Sequence, residues 1–365
     1  MPLNPVGAEE FAGLMAPLGP FEPAPLLAVG VSGGADSMAL ALLGRGWARA
    51  RGGDVVALVA DHGLRAESAA EAELARARLA AEGVSALVLR LGLRPGPRLA
   101  ERARAARLSA LEEAAAGRGI LHLLLAHHAG DQAETVLMRL LRGSGPDGLA
   151  AMAALRETAR VRVLRPLLGV APGRLRALLA ATGVEWVEDP SNRDPGTLRG
   201  RLRALRGDPD GTSGATLGLV TASRAYGEAR AGRDAALASW LAGNAWLSAD
   251  AGRRAVLPAG PWPPGALAAL IRVVGGRAHA ASPDSVARLA AAPLAATLGG
   301  ARLRRGSRRN GAAGGWLLEA ESGSRAPGGW PVPVPGPVAP GAFVPAGLRR
   351  GERERGCAAP PDTLC

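Results

Sequence analysis

The sequence predicts an α/β protein, a doubly wound parallel sheet followed by a smaller, mainly helical domain. Three observations carry that prediction. Short runs apolar at every position alternate with charged stretches of helical spacing over the first half, as strands buried on both faces do. Polar clusters stand at the ends of these runs, where an open parallel sheet binds ligands. Past the middle of the chain the apolar runs give way to helical patterns.

Residues 25–31 form the first expected strand, closed by Ser32-Gly33-Gly34-Ala35-Asp36-Ser37, with helix over 38–43. Residues 54–60 are the second, ending at Asp61-His62-Gly63, with helix over 67–82. The third strand is 85–91, followed by helix 99–116, and the fourth is 120–126, followed by helix 131–141. A fifth unit pairs strand 161–164 with a helix opened by Pro172. Such crossovers are right-handed and give an open sheet. Residues 207–214 have the composition of a linker. One long helix is expected over 215–242 and shorter ones over 266–274 and 285–291. The proline spacing of Pro331-Val332-Pro333-Val334-Pro335 makes 322–365 an extended or disordered tail.

All 44 basic residues are arginine; there is no lysine. A Walker-type phosphate loop and Schiff-base or PLP chemistry both need a lysine, so both are excluded. The net charge of +12 favours a polyanionic partner such as nucleic acid, although GC-rich coding accounts for an arginine excess equally well. Cys357 and Cys365, the only cysteines, cannot build a four-ligand zinc site. Glu9 and Glu10 stand where a signal peptide would be basic, and no apolar run approaches the ~20 residues of a membrane span. The expectation is a cytoplasmic protein with no membrane partner.

Three polar clusters fall at expected strand ends: Ser32 to Ser37, Asp61-His62, and His127-His128 with Asp131. Two glycines in the first let backbone approach a phosphate, and the helix after it directs free N–H groups at an anion. Asp36 would repel bare phosphate, so a carboxylate there suggests a bridging Mg2+. Asp131 and Glu134 lie one helical turn apart on one face; they suit a cation, and Asp131 equally suits a helix cap.

The hexapeptide Ser32 to Ser37 resembles the signature of the PP-loop ATP pyrophosphatases. The motifs after it narrow the resemblance: Asp61-His62-Gly63-Leu64-Arg65, Ala126-His127-His128 with Asp131-Gln132-Ala133-Glu134-Thr135, Arg142-Gly143-Ser144-Gly145, Arg165-Pro166-Leu167-Leu168, and Trp186 with Glu188-Asp189-Pro190-Ser191-Asn192. In this order they are similar to the tRNA(Ile)-lysidine synthetase family over residues 25–206. The sequence departs from the family pattern at Gly130, Arg98, Ala100, Leu108 and Gly200, whereas Arg104 and Arg107 fit it.

The resemblance implies a Rossmann-like catalytic domain over 25–206 after an N-terminal extension (1–24), and a tRNA-binding domain over 215–321. It implies ATP-dependent ligation of free L-lysine to the wobble cytidine of a tRNA(Ile) with a CAU anticodon, releasing AMP and pyrophosphate. Ser32, Gly33, Gly34, Ala35, Asp36 and Ser37 would then hold pyrophosphate, with Asp36 on Mg2+ and Ala60 and His62 toward the nucleotide. Asp131 and Glu134 would meet the lysine ammonium or metal, and His127 or His128 would orient these groups or shuttle a proton. Arg104 would stabilise the adenylate and Arg199 contact tRNA. The arginines at 302, 304, 305, 308 and 309 could meet tRNA backbone, and a homodimer stays open. Two alternatives compete: a non-catalytic nucleotide- or RNA-binding paralogue, and a tRNA thiolation enzyme, which needs cysteines this chain lacks outside its tail.

Overall fold

The computed structural model describes residues 3–61, 63, 67–93, 96–187, 196–248, 253–277, 281–307, 312 and 314–321. His62, Arg308, Arg309, residues 188–195 and the expected tail lie outside the described residues. The chain divides into two units, Met1–Gly232 and Arg233–Cys365.

The first unit opens with α1 (Ala8–Met15) and a 3-10 turn (Ala16–Leu18). The α/β alternation follows: β1 (Leu26–Val31), α2 (Ala35–Arg49), β2 (Asp54–Asp61), α3 (Ser68–Ala81), β3 (Ser85–Arg90), α4 (Leu99–Ala116), β4 (His122–Leu125) and α5 (Ala129–Leu141). After the short α6 (Pro146–Leu149) come β5 (Leu155–Glu157), β6 (Arg162–Leu164), α7 (Pro172–Thr182), α8 (Leu198–Arg206) and α9 (Gly214–Asn244). The unit boundary falls inside α9.

The strand order is β3-β2-β1-β4-β6-β5, parallel except for β5. The chain runs outward from β1 to β3 and then returns to β4 on the other side of β1. The direction of winding therefore reverses between β1 and β4, and a crevice opens at their carboxyl ends. The two strands pair in register from Leu27↔His122 to Gly30↔Leu125. Gly30 permits this close packing: a Cβ there would lie 2.9 Å from Leu125 Cδ2 and 3.0 Å from Leu111 Cδ1 of α4.

The segment expected as an N-terminal extension is built into this unit. Phe11, Met15 and Leu18 are buried in the same core as Leu27, Val29 and Met38. Arg162 donates to the carbonyls of Leu18, Gly19 and Pro20 at 2.8–3.0 Å, and Arg174 pairs with Glu10 at 2.6 Å. Backbone carbonyls at the end of the 3-10 turn are thereby satisfied by an arginine on β6.

The stretch 207–214, a linker by composition, is an ordered helix start. The Asp208 carboxylate accepts from the hydroxyls of Ser213 and Thr216 at 2.6 Å and from the N–H groups of Thr212 and Ser213 at 3.1 Å. Burial pushes this carboxyl up, but those bonds outweigh it and hold it well below the usual range.

The second unit holds β7 (Trp246–Ser248), β8 (Arg254–Leu257), α10 (Pro264–Gly275), α11 (Pro283–Ala291), β9 (Ala296–Leu298), β10 (Ala301–Arg305) and β11 (Trp316–Ala320). Its strands form an antiparallel sheet, β7-β8-β11-β10-β9. Leu257, Leu303 and Leu318 pack with Leu267 and Ile271 of α10 and Val286 of α11 in a separate core. The helices match the expected ones to within two residues, and the sheet adds to them. No described helix is long and apolar enough to cross a membrane.

Phe11→Ala tests the integration of the N-terminal segment. Phe11 is 1% exposed, so truncation should cost about 3–5 kcal/mol, read as a lower urea midpoint at unchanged slope. A loss under about 1 kcal/mol would show that the segment is dispensable to the core.

Candidate functional site

The crevice at the ends of β1 and β4 is a cleft of about 610 Å³, within the usual size range of small-molecule sites. One wall is the loop from β1 into α2. Gly33 adopts a left-handed φ of +81°, which glycine alone takes without strain. The Gly33 carbonyl accepts from Val187 N–H at 2.9 Å, tying the loop to the chain after α7. Ser37 donates its hydroxyl to the Gly34 carbonyl at 2.9 Å, accepts from Ser32 N–H at 3.2 Å, and lies 3.3 Å from the Ser32 hydroxyl. No side chain caps α2, so its first N–H groups face the cleft as an anion-binding end.

The opposite wall is the start of α5. His128 caps this helix: its Nδ1 accepts from Gly130 N–H at 3.1 Å, while Asp131 Oδ2 accepts from His128 N–H at 3.2 Å. A ring nitrogen that accepts carries no proton, so the proton sits on Nε2. That nitrogen lies 3.4 Å from Asp36 Oδ2 and 3.5 Å from Asp131 Oδ2. The imidazole thus bridges the carboxylate of the glycine-rich loop and that of α5. Gly130, a departure from the family pattern, matters here: a Cβ would come within 3.0 Å of the capping ring.

The electrostatics follow from burial and neighbours. Burial pushes the Asp131 carboxyl up, but His128, Arg199 and His127 pull it down to about 2. Burial lowers His127 to about 3, with nearby guanidiniums helping and Asp131 opposing, so it is neutral. His128 is raised because its carboxylate neighbours outweigh burial; protonating Nδ1 would nevertheless break the cap. Burial and the Arg199 charge lower Arg104, and burial, Arg104 and Arg199 lower Arg107; an arginine stays charged throughout.

Glu134 corrects an expectation. It is 1% exposed, and its carboxylate accepts from Arg199 Nε and Arg203 Nε, both at 2.8 Å, from Arg203 Nη2 at 3.2 Å and from Arg206 Nη1 at 3.4 Å. Three guanidiniums saturate it, leaving no lone pair to receive an ammonium. It holds α8 on the cleft instead. Arg203 and Arg206 were not foreseen; their signal was the 199, 203, 206 spacing, which puts three arginines on one helical face.

Of the other expected residues, Ser32, Gly34, Ala35, Asp36, Ser37, Arg104, His127 and Arg199 line the cleft. Ala60, one residue before the end of β2, is half-buried and is not brought into the lining. Asp36 Oδ1 is buried without a partner, an orphaned anionic oxygen suited to a cation. Among the described residues no group of three or more His, Cys, Asp or Glu could cage a metal alone. A cation here would therefore draw on ligand oxygens, as Mg2+ sites with bound phosphates do.

The PP-loop domain model matches residues 6–205. Relatives named tRNA(Ile)-lysidine synthase include one from Bradyrhizobium sp. BTAi1, 45% identical over 55% of this chain and 56% of its own. Another, from Hyphomonas neptunium, is 38% identical over 75% of this chain and 77% of its own. The chain belongs to the tRNA(Ile)-lysidine synthase family. It spans little more than half the length of the Bradyrhizobium relative it matches. A solved U34-tRNA thiolase from Methanococcus maripaludis, bearing an iron–sulfur cluster, is 17% identical with a TM-score of 0.50 over 60% of this chain and 79% of its own; the likeness is one of fold. In this lysidine synthase family member Ser32 to Ser37, the His127-His128 turn with Asp131 and Glu134, Arg165 and Trp186 share one crevice; Asp61 and Gly63, at the end of β2, and the stretch Arg142 to Gly145 are outside its lining.

His127 makes a pH prediction. Its folded pKa of about 3 lies below the ordinary 6.5, so the unfolded chain binds its proton first and acid favours unfolding. Full stability is kept above pH 6.5 and lost progressively toward 3, by about 2 kcal/mol at pH 5. His127→Gln should flatten this decline between pH 7 and 5 in thermal melts. A parallel decline in parent and variant would place the acid sensitivity elsewhere.

Proposed function

We propose that the chain uses ATP to activate the wobble cytidine of a tRNA(Ile) with a CAU anticodon and ligates free lysine to it. The observation carrying this reading is the meeting of Asp36, His128 and Asp131 in one cleft with a phosphate-binding loop. Family membership and the Hyphomonas neptunium relative support it. The carbonyl oxygen on carbon 2 of cytosine attacks the α-phosphorus of ATP, and pyrophosphate leaves. The lysine side-chain amine then attacks carbon 2, AMP departs with that oxygen, and the amine gives up a proton.

The free N–H groups of α2 and the hydroxyl of Ser32 hold the pyrophosphate, acting where charge gathers in the transition state, while Ser37, its proton given to the Gly34 carbonyl, braces the loop. Asp36 would hold Mg2+, which supplies charge neutralisation to the leaving pyrophosphate. Asp131, with Glu134 spent, takes the amine, and His128 keeps Asp131 in register with Asp36. The surrounding guanidiniums lower the pKa of an ammonium entering the cleft, favouring the neutral amine that attacks. Neutral His127 lines the cleft as a hydrogen-bond partner. Arg104 faces the adenylate, whereas Arg199, expected to contact tRNA, is engaged by Glu134 and Asp131. Every group invoked comes from one chain, so the reading needs no homodimer.

The test combines purified protein, ATP, Mg2+, labelled lysine and a CAU-anticodon tRNA(Ile). Labelled RNA with AMP release is expected; none from the parent protein would refute the reading. Asp36→Ala should abolish turnover with the fold intact. Asp131→Asn should raise the lysine KM at least ~10-fold, about 1.4 kcal/mol, with ATP affinity unchanged. An unaltered lysine KM would move amine recognition to other residues.

A further inference from the structure

The cleft lining carries more arginines than carboxylates, seven against four. Four of the seven are engaged: Arg199, Arg203 and Arg206 by Glu134, and Arg176 by Asp210 at 2.6 Å. Arg104 and Arg107 of α4 make neither an ion pair nor a hydrogen bond with any described residue. Arg165, just past β6, is 8% exposed; it donates Nη1–H to the Ala153 carbonyl at 2.9 Å, while its buried Nε has no partner.

Uncompensated cations lining one cleft repel one another, and burial aggravates the cost. Arg104 repels both Arg107 and Arg165. An arriving anion relieves that cost, and planar guanidinium forks suit phosphate oxygens. The position matters too. In the order β1-β4-β6, the end of β6 stands two strands from the glycine-rich loop, about 10 Å across the sheet. Pyrophosphate held by that loop leaves this end of the cleft free. A cytosine drawn out of its stack brings its backbone with it.

We propose that Arg107 and Arg165 form a second anion site, which binds a backbone phosphodiester of the RNA whose base is modified. The inference rests on the proposed function, and its test is separable from it because it reads binding rather than turnover. The same phosphate chemistry is present in ATP, so the two sources are compared directly.

The full-length chain and its Arg107→Gln and Arg165→Gln variants are titrated with an anticodon stem-loop RNA hairpin across a series of salt concentrations. They are titrated separately with ATP and Mg2+. Each variant should bind the hairpin ~10-fold more weakly, with a log–log salt slope shallower by about 1, while ATP affinity stays within ~2-fold of the parent's. Unchanged RNA affinity and slope would overturn the proposal. So would an ATP affinity that falls while RNA binding holds, since the pair would then belong to the nucleotide. Arg107 is only half-buried, so its variant keeps the test decisive should Arg165→Gln fail to fold, as judged by thermal melts. A parent that binds the hairpin but forms no lysidine would refute the function and leave this site standing.

Discussion

The parallel pairing of β1 with β4 is the constraint on which the site depends. Neither strand is followed by a complete site. The loop after β1 offers N–H groups, two serines and a carboxylate; the turn after β4 offers a capping histidine and a second carboxylate. Only the register from Leu27↔His122 to Gly30↔Leu125 brings these ends side by side. Once they meet, one imidazole suffices to couple the carboxylates, because its Nδ1 is fixed by the helix it caps. Gly30 sits at the last rung of this pairing, where Leu125 and Leu111 leave no room for a side chain.

Charge organises the rest of the cleft. With no lysine in the chain, every side-chain cation apart from a protonated histidine is a guanidinium, which cannot be neutralised by losing a proton. Burying such groups requires a fixed anion. Glu134 supplies it for three arginines at once, whereas Arg104 and Arg107 line the cleft without an ion pair among the described residues. The cleft is thus divided between arginines engaged within the protein and arginines available to a ligand.

The first unit was legible because its central strands are continuous apolar runs. The hexapeptide Ser32 to Ser37 and the His127-His128 turn were placed correctly at strand ends by that reading. The second sheet is not legible: its strands are three to five residues long, and Arg302-Leu303-Arg304 has the composition of a charge cluster, although its alternation is that of one strand's outer and inner faces. The role of Glu134 was hidden for a different reason. Its partners lie 65–72 residues away on α8, a separation that local spacing cannot bridge. Phe11 and Met15 likewise declare themselves as core only once α2 is beside them.

Helix α8 buries none of its residues; its described attachments to α5 are the ion pairs to Glu134 and Asp131 and one hydrogen bond to the Gly130 carbonyl. Its detachment would expose little apolar surface. Such an opening carries a small heat-capacity change and a small denaturant slope, unlike the loss of any helix seated in the hydrophobic core. An opening of this helix would therefore answer to ionic strength and to anions in the cleft more than to the packing of the sheet beneath it.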